Sequence, residues 1–176
     1  SGERRAMVFY PTNELANDQK RSLDKLKGEW KQGGIQRILY SVINAQNLDE
    51  MQQNLEYLSR AEMLRIRLTA DLILTNPDIF HLIMQMRYRV PGAAADTILK
   101  IVAEVFNLFV FDEFHIFKAP EATSALTAML TLLEASADKP RFLFLSATKN
   151  KVLEALAEKA RLPVKIIEGE YRYDGL

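Results

Sequence analysis

Two adjacent carboxylates, Asp112 and Glu113, directly follow the apolar run at 108–111. At the tip of a buried strand, one acid can hold a magnesium ion through water while its neighbour polarises an attacking water, an arrangement suited to phosphate chemistry. Taken alone, acidic pairs after strands also serve to cap the next helix. Ser146-Ala147-Thr148 follows another apolar run and has the composition of an ordinary helix N-cap. Two more polar clusters stand in the same relation to apolar runs: Pro11-Thr12-Asn13-Glu14 after 6–10, and Thr75-Asn76-Pro77-Asp78 after 72–74. Ligands of an open α/β sheet bind outside the carboxyl ends of its strands, so the four clusters would line one edge.

The elements needed to bring them there are legible. Short apolar runs bounded by turn or polar residues occur at 6–10, 37–43, 72–74, 108–111, 141–145 and 164–167, the pattern of strands buried on both faces of a parallel sheet. Segments of helical spacing lie between them, at 13–27, 48–59, 78–87, 94–106, 121–135 and 149–160. In the last of these, Val152, Leu153, Leu156 and Ala160 share one face and Lys149, Glu154, Glu158 and Lys159 the other. Alternating strand and helix predicts an α/β fold: a mostly parallel sheet between two helix layers, in one domain over residues 1–176. Gly33-Gly34 reads as the turn into the 37–43 strand.

Composition narrows the chemistry. The 176 residues carry 23 Lys plus Arg and 23 Asp plus Glu, so no global field favours a polyanion and any such site must be local. There is no cysteine and there are only two histidines, His81 and His115, which excludes disulfides and thiolate metal sites and argues against a histidine-built zinc centre. No apolar stretch approaches the ~20 residues that span a bilayer, and no signal-like segment opens the chain, so a cytoplasmic protein with no membrane partner is expected.

Together the clusters resemble the first RecA-like motor domain of superfamily 2 DExD/H-box helicases. Asp112-Glu113-Phe114-His115 matches motif II, Ser146-Ala147-Thr148 motif III, Tyr10-Pro11-Thr12-Asn13-Glu14-Leu15 motif Ia and Leu74-Thr75-Asn76-Pro77-Asp78 motif Ib. All four occur in family order, and the resemblance runs from about residue 6 to residue 168. The wording around motifs Ia, Ib and II is more narrowly similar to the CRISPR-associated helicase of type I-D systems.

The resemblance implies a three-layer RecA-like domain that uses ATP and Mg²⁺. Asp112 would coordinate the Mg²⁺ of bound ATP and Glu113 would activate the hydrolytic water. His115 would couple hydrolysis to movement, and Ser146 and Thr148 would relay the nucleotide state toward the strand-binding face. Pro11, Thr12, Asn13, Thr75, Asn76 and Asp78 would lie along the nucleic-acid backbone, where helix N-termini offer free N–H groups without needing net positive charge. Partners implied are nucleic acid, with single-stranded DNA favoured and RNA as the alternative, a second RecA-like domain of the same protein, and a crRNA-guided surveillance complex. The outcome would be DNA unwinding in CRISPR interference.

One departure is large. Phosphoryl transfer on this fold uses a loop of the form G-x-x-x-x-G-K-S/T, and none of the seven glycines is followed by Lys. The resemblance places that loop before Ser1 and the second motor domain after Leu176, so the chain reads as truncated at its N-terminus and inactive in isolation. The alternative is a RecA-like binding or assembly module that has lost hydrolysis. Arg60, Arg65 and Arg67, Arg87 and Arg89, and Trp30 read more simply as surface charge and local packing than as nucleic-acid contacts, and His81 as structural.

Overall fold

Five short strands lie side by side in the order β2-β3-β1-β4-β5: β1 (Ala6–Phe9), β2 (Tyr40–Val42), β3 (Leu72–Thr75), β4 (Leu108–Phe111) and β5 (Arg141–Phe144). Every neighbouring pair is parallel. Phe9 stands opposite both Thr75 and Phe111, and Phe111 opposite Phe144, so the carboxyl ends of four strands are level. The structure, a computed structural model, describes residues 5–32, 38–55, 57–84, 98–148, 151–159, 163 and 165–169. Gly33-Gly34, Arg87 and Arg89 lie outside them.

The helices are α1 (Asn13–Gln32), α2 (Ala45–Asn54), α3 (Arg60–Arg67), α4 (Pro77–Met84), α5 (Ile98–Val105), α6 (Ala119–Ala135) and α7 (Lys151–Lys159). Among the described residues, none is long and apolar enough to cross a membrane. Alternation of side chains along each strand divides the core in two. Met7, Phe9, Ile73, Phe109 and Phe111 face a large cluster with Leu64, Ile83, Val102, Ala128 and Leu132 from α3, α4, α5 and α6. Val8, Tyr10, Val42, Leu72 and Leu74 face the other way, against Leu15, Ala16 and Leu23 of α1. Helices therefore cover both faces, as a parallel sheet requires.

Two segments differ from the expectation. The helix expected at 48–59 is α2, which runs instead over 45–54, and a further helix, α3, follows at 60–67, where none was expected. Asn44 starts α2 early by accepting the Asn47 N–H. Ser59 starts α3 anew: its Oγ accepts the Glu62 N–H at 3.3 Å, and its own N–H donates to Glu62 Oε2 at 2.8 Å. The sixth strand, expected at 164–167, is not found among the described residues: residues 165–167 have no regular structure, Ile166 and Ile167 are exposed, and Val164 lies outside them. Their apolar character alone could not make them a strand, which needs a neighbour to pair with.

Candidate functional site

An aromatic row forms the floor of the site. Phe9, Phe111 and Phe144 end three adjacent strands in register and stack at 4.7 and 4.9 Å between ring centres. Phe114 meets Phe144 edge-on at 5.1 Å. Asp112 and Glu113 therefore occupy a tight turn between two buried phenylalanines, which pull the chain inward and leave the carboxylates at the rim. The backbone is fixed to strands on both sides: Asp112 N–H donates to Phe9 O at 2.9 Å and Phe114 N–H to Leu145 O at 2.8 Å. Glu113 has φ 50, the left-handed region, and is the sole non-glycine with positive φ among the described residues. A non-glycine there costs about 1–2 kcal/mol, so the turn is held against local preference by its anchors.

The polar atoms are placed as follows. Asp112 Oδ1 accepts the Glu113 N–H at 2.9 Å, and its other oxygen has no partner among the described residues. The Glu113 side chain is 45% exposed. His115 Nδ1 lies 3.3 Å from Glu113 Oε2 and accepts the Ala147 N–H at 3.3 Å, joining the acidic turn to the Ser146-Ala147-Thr148 loop. Within that loop, Ser146 Oγ donates to Thr148 O at 2.7 Å and accepts the Thr148 N–H at 3.4 Å. Asp112, Glu113, His115, Ser146 and Thr148 are thus brought together.

Sequence reasoning missed Tyr10. It follows Phe9 as Asp112 follows Phe111, so the two residues are neighbours on adjacent strand ends. Burial first, and the Asp112 carboxylate second, push its phenol up to about 12, so it remains a neutral donor beside the acid. The register of β1 and β4 is the signal that would have found it, and register is not visible in one sequence.

The second set of residues is divided by the structure. Thr12 and Asp78 are exposed, and Pro11 and Asn13 are partly so. Thr12 Oγ1 caps α1 by accepting the Leu15 N–H at 3.3 Å, which leaves its hydroxyl proton to donate. Thr75 is 2% exposed and donates its proton to Ile43 O at 2.8 Å, so it secures the end of β2 behind the edge. Asn76 is likewise turned inward. Its Oδ1 accepts the Ile79 N–H at 3.0 Å and its Nδ2 donates to Asn13 Oδ1 at 2.6 Å, which occupies both arms of the carboxamide. Of this set, Pro11, Thr12, Asn13 and Asp78 reach the surface.

Asp112 offers one unpartnered carboxylate oxygen, and no group of three or more His, Cys, Asp or Glu among the described residues could hold an ion. That donor set fits a magnesium ion that takes most of its ligands from water and phosphate oxygens, with the Asp112 oxygen reached through a bound water.

A family model for DEAD/DEAH box helicases matches residues 1–156. The structure of Mycobacterium smegmatis helicase Lhr bound to ssDNA and AMP-PNP superposes with a TM-score of 0.58 at 14% identity, covering 89% of this chain and 18% of that one. The crystal structure of the DUF1998 helicase MrfA gives 0.56 at 20% identity, covering 94% and 23%. At these identities the likeness is one of fold, and the chain spans about a fifth of the length of either neighbour. No curated protein matches.

Proposed function

Because the chain belongs to the DEAD/DEAH box helicase family, we propose that it forms the part of an ATP-dependent helicase in which Asp112 and Glu113 act on bound ATP. The observation that supports this most is the joined pair of loops. The acidic turn and the Ser-Ala-Thr loop meet through His115 at the carboxyl edge of a parallel sheet.

Mg²⁺ and ATP, when bound, supply an electrophilic γ-phosphoryl group. Asp112, through the carboxylate oxygen not used by the Glu113 N–H, would hold the Mg²⁺. Glu113, more open to solvent, accepts a proton from the attacking water and orients it. His115 holds the Ala147 amide against this turn by accepting its N–H, so a displacement of the turn is passed to Ser146 and Thr148. Thr12, Asn13 and Asp78 face the strand being moved. Thr12 suits a phosphate oxygen, while the Asp78 carboxylate, which only accepts, suits a sugar hydroxyl or a base amine.

The finer assignment is to strand separation on DNA in CRISPR interference, with a second RecA-like domain and a crRNA-guided surveillance complex as partners. It is supported by the wording of the motifs, and single-stranded DNA by the strand present in the Lhr structure. The second reading is a RecA-like binding module without hydrolysis.

The deciding experiment is nucleic-acid-stimulated ATP hydrolysis by the full-length protein and its Glu113→Gln variant. Turnover is expected to fall about 10²–10⁴-fold while ATP binding is kept. Equal turnover by the variant would remove the role given to Glu113, and a wild-type protein that binds a strand without hydrolysing ATP would establish the second reading.

A further inference from the structure

We propose that Asn76 is a positioning residue which fixes the carboxamide of Asn13 with its NH₂ group outward, presenting a donor to a phosphate oxygen of the bound strand. This rests on the nucleic-acid reading above and adds to it the polarity of one contact.

The direction follows from a chain of hydrogen bonds that can be satisfied in only one way. The Ile79 N–H is a backbone donor and cannot accept, so the Asn76 atom 3.0 Å from it is the carbonyl oxygen. The other arm of Asn76 is then its NH₂ group, a donor, and it lies 2.6 Å from the Asn13 carboxamide. Asn13 must meet it with its oxygen, and its own NH₂ is turned the opposite way. Among the described residues nothing accepts from that NH₂ group, and Asn13 is half-buried, so the group is at the surface with a fixed direction. The bond spans 63 positions of sequence, joining the start of α1 to the start of α4.

Burial makes the arrangement stiff. Asn76 is 9% exposed and Ile79 2%, so water competes poorly for either arm. A carboxamide free to rotate would offer oxygen or nitrogen equally to a ligand, whereas a fixed one discriminates. With Thr12 Oγ beside it, the edge offers two neutral donors, which suits an anionic oxygen and opposes a cation or a carbonyl-free apolar ligand.

The test is a double-mutant cycle in the full-length protein, read as affinity for a mixed-sequence single-stranded DNA oligonucleotide. Asn76→Ser retains a cap for the Ile79 N–H but is too short to hold Asn13, and Asn13→Ala removes the donor. Asn13→Ala is expected to weaken binding about tenfold and Asn76→Ser about threefold. Adding Asn76→Ser to Asn13→Ala is expected to change nothing further. A further loss in that background would mean that Asn76 itself touches the strand, and unchanged affinity in either single variant would mean that no oriented donor operates; each result overturns the proposal. Should Asn76→Ser lower the melting temperature enough to unfold the protein, Asn13→Asp replaces it. That variant still accepts from Asn76 but turns a carboxylate outward, so a loss greater than that of Asn13→Ala supports the proposal and undiminished affinity overturns it. A wild-type protein with no affinity for the oligonucleotide would instead overturn the nucleic-acid reading.

Discussion

The two ends of the sheet are built differently. At the β2 end, Ser41 and Val42 are buried, and the Tyr40 hydroxyl donates to Asp24 of α1, which is also paired to Lys20 at 2.6 Å. Arg67 of α3 reaches Ser41 Oγ at 3.2 Å from the other side, and the Leu39 N–H is held by Asp71 at 2.8 Å. At the β5 end, Leu143 and Leu145 are 44% and 43% exposed. Bonds from Arg141 and Leu145 to β4 turn the N–H and C=O groups of Phe142 and Phe144 toward the open side. The proposed chemistry belongs to this second, less covered half. The difference separates two settings: one half is packed on both faces, and the other holds the proposed catalytic side chains near solvent on an aromatic floor packed from one face.

Three measurements test that contrast, in descending order of size. Phe111→Ala removes the middle of the aromatic row, where the open half is fully buried. It should cost about 3–5 kcal/mol in chemical denaturation, and a cost near zero would mean that the floor does not support the site. Next, one residue type can be compared across the divide. Leu74→Ala, at a position 1% exposed, should cost about 2–5 kcal/mol, while Leu143→Ala should cost under about 1 kcal/mol. Equal costs would show that the β5 edge is covered in the working protein.

The smallest effect concerns Tyr10, on the boundary between the halves. Its pKa is raised to about 12 in the folded chain, against about 10 when unfolded. Below pH 10 both states keep the proton and stability does not depend on it. Between about 10 and 12 the unfolded chain loses the proton first, so the stabilisation declines as pH rises through that window. A melting temperature followed from pH 9 to 11 should fall faster in the wild type than in Tyr10→Phe, and parallel curves would place Tyr10 in a more open setting than the structure gives it.

Local signals served the sequence reading well, and pairings between distant segments did not. Strands 108–111 and 72–74 were recognisable because each is a short apolar run closed by polar residues, and the same boundary exposed Asp112 and Glu113. The start of α3 was also written locally, in the capping pair Ser59 and Glu62, and was passed over. The run at 164–167 misled because apolar content states that a segment wants burial and does not say beside what. The inward turn of Thr75 and Asn76 depends on Ile43 and Asn13, more than 30 positions away, and no periodicity carries that information. Glu113's backbone angle was hidden for the same reason, since it is imposed by Phe9 and Leu145 through the residues on either side of it.

That angle makes position 113 a record of selection. The backbone there favours glycine or asparagine, and the proposed chemistry favours a carboxylate, so the two demands pull the residue in opposite directions. A lineage that still hydrolyses ATP would retain the acid against its conformational cost, whereas one that had stopped would gain stability from any drift to glycine. The identity of this single residue in related chains would therefore report, without an assay, which of them have remained motors.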